Sequence, residues 1–159
     1  MDDALWGIRY KQDLYYNVFK HESLVLDTRF HLLLYKQFKD VIEPDLELMK
    51  YARGQLPIGN GSSWMDKKVV YFPVHYLEKH WLLFGAHIPD HRIDVYESVS
   101  GKHSITDYQI GVLIEPYLHM IPKMVERSLP LSGPVLESYR ADFTYQRVSG
   151  LPQTSRYEL

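Results

Sequence analysis

Three apolar, β-prone runs follow one another in close order at residues 69–74, 81–87 and 92–97, and their spacing constrains the fold more than any other feature of the chain. The second and third are joined by Pro89-Asp90-His91, a link long enough for a reversal and far too short for a helical crossover, so they are antiparallel neighbours. The second run, Trp81-Leu82-Leu83-Phe84-Gly85-Ala86, is apolar at consecutive positions rather than at alternate ones. A strand of that kind is covered on both faces, which places it in the middle of its sheet.

The chain ahead of these runs reads as helical. Residues 2–19 carry Leu5, Ile8, Leu14 and Val18 at mixed helical spacing behind Asp2 and Asp3, whose charges suit a helix N-terminus. Leu24-Val25-Leu26 predicts a short buried strand, and Asp27 then stands as the N-cap of a helix with the apolar stripe Phe30, Leu33, Leu34, Phe38 and Val41, closed by Pro44. A second short helix over 45–53 ends at Gly54, where a left-handed residue is easily accommodated. Residues 55–66, with Pro57, Gly59, Asn60 and Gly61, form a connector. Beyond the strands, Tyr108, Val112, Leu113, Tyr117 and Ile121 predict a helix over 105–124 with a kink or break at Pro116, then a loop over 130–135 and a last strand over 142–148. The pattern predicts one α+β domain over 1–159: a helical part over about 1–54 and a sheet part over about 69–159, with helices gathered on one side of an antiparallel sheet.

Charge and composition exclude several classes of partner. The formal net charge is −2, without the basic footprint that a phosphate backbone demands, so no direct nucleic-acid partner is expected. Apolar stretches such as 81–86 fall far short of the roughly 20 residues that cross a bilayer, and no membrane partner is expected. The N-terminus lacks the basic and apolar regions of a signal peptide, which makes an intracellular address the expectation. The 159 residues contain no cysteine, hence no disulfide framework, no thiolate metal site and no thiol nucleophile. His75, His80, His87 and His91 are crowded, yet His75-Tyr76-Leu77-Glu78-Lys79-His80 fits neither orientation of the zinc-peptidase motif, and Pro89 interrupts helical pairing of His87 with His91. Gly59-Asn60-Gly61-Ser62-Ser63 lacks the Gly-Lys-Ser or Gly-Lys-Thr ending of a phosphate loop. No metal and no cofactor are expected.

The candidate chemistry lies at one end of the strand run. With Pro89 and Asp90 as the central turn residues, Glu97 falls opposite Leu82 and His80 becomes its diagonal neighbour on the same face, about 7–8 Å away at Cα. At that distance the carboxylate can accept the imidazole Nδ1 hydrogen and leave Nε2 as a base. Asp94 has the opposite parity and points to the other face.

The surrounding residues resemble a known family. Val70-Tyr71-Phe72-Pro73-Val74, then His80-Trp81-Leu82-Leu83, then Ile93-Asp94-Val95-Tyr96-Glu97-Ser98 are similar to the core of the ubiquitin-like-protein proteases, the SUMO-specific cysteine peptidases. The opening Met1-Asp2-Asp3-Ala4-Leu5 and the segment Leu26-Asp27-Thr28-Arg29-Phe30 resemble the plant branch, many of whose members are carried by transposable elements. The resemblance implies a papain-like cysteine protease fold, with His80 as general base, Trp81 as its packing neighbour on the substrate-binding side, and Glu97 where the family has an orienting aspartate. Gly150-Leu151-Pro152-Gln153 resembles the segment whose glutamine donates to the oxyanion, which assigns that role to Gln153. The family's nucleophile follows closely, in Asp-Cys-Gly at the start of a central helix. Here that offset falls on Leu159, the last residue, and no Asp-Cys-Gly is present. The resemblance thus implies a catalytic domain incomplete at its C-terminus, lacking its nucleophile and inactive alone, with a SUMO-like modifier or its conjugates as partner and a nuclear or cytoplasmic address. The alternative expectation is a noncatalytic protein-binding module or a decayed transposon-derived remnant.

Overall fold

The computed structural model describes residues 5, 7, 8, 10, 11, 22–59, 61–77, 80–128 and 141–152. Among the described residues five strands form one sheet in the order of the chain: β1 (Ser23–Val25), β2 (Val69–Tyr76), β3 (His80–His87), β4 (Arg92–Tyr96) and β5 (Thr144–Arg147). Among the described residues the helices α1 (Thr28–Asp40), α2 (Leu46–Ala52) and α3 (Asp107–Ser128) accompany them, in an α+β arrangement. Of the helix expected over 2–19, residues 5, 7, 8, 10 and 11 are helical and the others lie outside the described residues, as does the loop expected over 130–135.

β3 lies at the centre, as its two-sided apolar character requires. It is antiparallel to β2 and to β4, with Phe84 facing Phe72 on one side and Val95 on the other. The edges depart from the expected antiparallel sheet. β1 runs parallel to β2, and β4 parallel to β5, so the sheet is mixed. The reason is in the connections: α1 and α2 lie between β1 and β2, and α3 lies between β4 and β5. Each helical crossover carries the chain back to the end of the sheet where the preceding strand began, so the next strand runs the same way, whereas a tight turn restarts it at the end just reached and reverses it.

The helix starts follow from local hydrogen bonding. The Asp27 carboxylate accepts from the Phe30 amide and also from the Tyr51 hydroxyl at 2.8 Å, tying the cap of α1 to α2. Asp45 caps α2 through the Leu48 amide, and Gly54 beyond its end has φ +80°, where a Cβ would sit 2.5 Å from the Ser63 amide nitrogen. α1 ends at Asp40, before Pro44, and Val41 is an exposed extended residue rather than part of the apolar stripe. α3 runs uninterrupted through Pro116 and Pro122. Each proline removes one backbone donor, but Ile110, Ile114, Tyr117, Met120, Ile121 and Met124 form a fully buried stripe along the same helix, and this packing outweighs the lost bonds.

These helices cover the sheet face that carries Val70, Phe72, Val74, Leu82, Phe84, Ala86, Ile93 and Val95. Phe30 sits at the centre, with ring contacts to Tyr51, Trp64 and Phe72. On the opposite face, Pro73, Trp81, Leu83 and Tyr96 wall an apolar groove of about 520 Å³, closed at its margins by Leu5, Leu151 and Pro152. Helical Leu5 therefore stands across the sheet from α1–α3, and the helical elements are not all on one side.

One polar group is embedded among the core aromatics. His31 Nδ1 meets the Tyr117 hydroxyl, the ring hydrogen-bonds the His75 backbone, and burial lowers the imidazole from 6.5 to about 4. Above the unfolded-state value near 6.5, both states hold His31 neutral. Below it the unfolded chain takes up the proton first, so stability falls with pH and levels off beneath about 4. His31 should account for a loss of about 2 kcal/mol between pH 7 and 4, a figure reduced for the partial access of water to the ring. Urea titrations of the parent and of His31→Gln across that range should diverge by this amount. Parallel pH dependences would refute it.

Candidate active site

Continuing the β3–β4 register of Leu83 with Tyr96 by one step sets Glu97 opposite Leu82, so Glu97 and His80 share the face covered by α3. Both side chains are buried, with 7% of His80 and 8% of Glu97 exposed. His80 Nε2 lies 2.8 Å from Glu97 Oε1. The pairing is the expected one, but the nitrogen is not. Nε2 rather than Nδ1 meets the carboxylate.

Glu97 is held from several elements at once. The Ile105 amide donates to Oε1 at 2.9 Å and the Ser104 hydroxyl to Oε2 at 2.8 Å, both from the segment leading into α3. That segment is positioned by the short helical turn Gly101–His103 before it and by a reciprocal cap after it. The Thr106 hydroxyl accepts from the Gln109 amide, and the Gln109 side chain accepts from the Thr106 amide. From β5, Arg147 Nη2 donates to Glu97 Oε2 at 2.5 Å and to Ser104 Oγ at 3.0 Å, while Nη1 donates to the Ile105 carbonyl and to Asp107. The Asp107 hydrogen bond, then the Glu97 charge, hold the guanidinium above its ordinary pKa.

With Glu97 ionised and Nε2–H donating to it, His80 keeps the Nδ1 lone pair to take up a proton, and the imidazolium so formed faces a carboxylate. His80 opens on a cleft of about 590 Å³ whose other walls include Tyr76, Leu77, Lys102, His103 and Gln109. Trp81 follows in the strand but has the opposite parity. It is 40% exposed and stacks on His75 across β2, with ring centroids 4.4 Å apart. Asp94 also faces the other side, where it bonds Arg92 and lies 2.9 Å from His87. Gln153 lies outside the described residues.

Sequence reasoning placed His80 and Glu97 side by side but missed Ser104, Ile105 and Arg147 around Glu97. The Thr106-Asp107-Tyr108-Gln109 capping pattern is a local signal that could have marked the loop ahead of α3 as the partner of Glu97. Arg147 gives no such signal, since its approach depends on a strand that returns to the sheet through α3.

A family model described as the Ulp1 protease family, C-terminal catalytic domain, matches residues 18–158. Among solved structures, a SUMO protease Ulp1 with its catalytic cysteine oxidised to a sulfenic acid is 14% identical, with a TM-score of 0.44 over 84% of this chain and 50% of that one. The C-terminal Ulp1 protease domain in complex with Smt3, the yeast ortholog of SUMO, is 10% identical, with a TM-score of 0.48 over 84% of this chain and 49% of that one. The chain spans about half the length of the solved structures it matches. No curated protein sequence matches it.

Proposed function

The chain belongs to the Ulp1 protease family, and from that membership we propose that it serves as part of a cysteine-peptidase catalytic domain acting after the C-terminal glycine of a SUMO-like modifier. The observation that carries this reading is the buried contact between His80 Nε2 and Glu97 Oε1 at the wall of an open cleft. In it, His80 removes the proton of a thiol as the sulfur–carbon bond forms on the glycine carbonyl. His80 then returns that proton to the departing amine as the carbon–nitrogen bond breaks. Glu97 orients the imidazole, Gln153 donates to the oxyanion, and Trp81 lies on the substrate-binding side. A nuclear or cytoplasmic address accompanies this reading.

The 159 residues hold no cysteine, so they carry out no thiol chemistry by themselves. A SUMO-like precursor incubated with this chain is expected to remain uncleaved at any pH, while titration of the modifier into labelled protein shifts amide resonances around His80, Ile105 and Gln109. Cleavage would refute the first expectation, and an unperturbed spectrum at saturating modifier would refute the second.

A second reading is a protease-like module that binds a modifier without cutting it. The transcript beyond the Leu159 codon separates the two. An in-frame Asp-Cys-Gly supports the peptidase, and a stop codon supports the binding module.

A further inference from the structure

The carboxylate of Glu97 is saturated. Oε1 receives His80 and the Ile105 amide, and Oε2 receives Ser104 and Arg147, four donors for the four lone-pair directions of an ionised carboxylate. Three of these donors are supplied by short-range structure at the entry to α3 or at the head of β3. The fourth, Arg147, comes from the far side of α3 and is the only one of the four with a fixed charge. Its guanidinium is itself clamped, since Nη1 is bound to the Ile105 carbonyl and to Asp107. A planar group held on both sides presents its remaining nitrogen to Oε2 in a set direction.

We propose that Arg147 is a positioning residue for the His80–Glu97 pair, holding Oε2 so that Oε1 is reserved for the imidazole and setting a fixed positive charge against the carboxylate. This inference rests on the reading of His80 as a proton-transferring base. The charged and titratable groups around His80 are Glu97 beyond β4, Arg147 on β5, Asp107 at the head of α3, Lys102 and His103 on the turn that walls the cleft, and Tyr76 on β2. Without Arg147, the carboxylate beside the imidazole would lose the guanidinium that contacts it, leaving Lys102 on the cleft wall as the remaining fixed positive charge among these groups.

The test is the pH titration of His80 in long-range proton–nitrogen spectra of the 159-residue chain, which needs neither substrate nor a nucleophile. Arg147→Gln removes the charge and shortens the side chain; it should raise the His80 midpoint by about one pH unit, roughly tenfold in proton affinity. Arg147→Lys restores the charge and should stay close to the parent. A parent-like midpoint in Arg147→Gln overturns the proposal, and so does an equal shift in both variants, because charge would then not be the cause. The underlying reading has a separate marker. Glu97→Gln should lower the midpoint, and if it does not, His80 and Glu97 are uncoupled and the base–orienter assignment fails whatever Arg147 does.

Discussion

Replacing Glu97 by alanine is expected to lower the unfolding free energy by about 3 kcal/mol, enough to remove a large share of the 5 to 15 kcal/mol typical of a domain. The side chain is buried, and its loss strands the buried Ile105 amide together with the partner nitrogen of His80. Arg147 suffers less, because it keeps Asp107 and the Ile105 carbonyl and is partly solvated. For that reason the loss sits at the lower end for a broken buried ion pair. Glu97→Gln retains an acceptor for the Ile105 amide and should lose only about half as much. Urea denaturation at pH 7, with midpoints compared at unchanged slope, reads both. A parent-like midpoint for Glu97→Ala would mean that the site contributes nothing to holding α3 on the sheet.

Phe30→Ala should destabilise the chain by about 3 to 5 kcal/mol, the largest effect expected from a single core truncation. Phe30 is fully buried and its ring meets those of Tyr51, Trp64 and Phe72, at centroid distances of 5.2, 5.8 and 5.0 Å. α2, the helical turn Trp64–Asp66 and the sheet converge on it, and none can move into the cavity without giving up its other contacts. Leu32, two residues along the same helix and 62% exposed, is the control. Leu32→Ala should change stability by no more than about 0.5 kcal/mol. Similar losses at the two positions would show that α1 does not pack through Phe30.

Much of the fold was legible because it is written in local periodicity. The consecutive apolar residues of 81–86 placed β3 at the centre, and the length of the link at Pro89 fixed the reversal into β4. Together these set the parity that brings His80 and Glu97 to one face and sends Asp94 to the other. Asp27 announced its helix through a cap that needs only three residues to form. What was misjudged involved competition between local and tertiary terms. Pro116 and Pro122 disfavour a helix locally, and the buried stripe from Ile110 to Met124 outweighs them. Val41 has the right spacing for the apolar face of α1, but the helix stops before it.

The sequence by itself determined which segments are strands and helices, which two ionisable groups share a face, and that no thiol is among these residues. Only the tertiary structure decided the parallel edges of the sheet, the use of Nε2 rather than Nδ1, and the assembly of Ser104, Ile105 and Arg147 around Glu97. The division has a physical cause. Side-chain parity and helix capping depend on a few neighbouring residues, and any chain with that pattern repeats them. The guanidinium reaches the carboxylate only after a 22-residue helix has carried the chain over the sheet and laid β5 beside β4, a contact fixed by packing rather than by spacing.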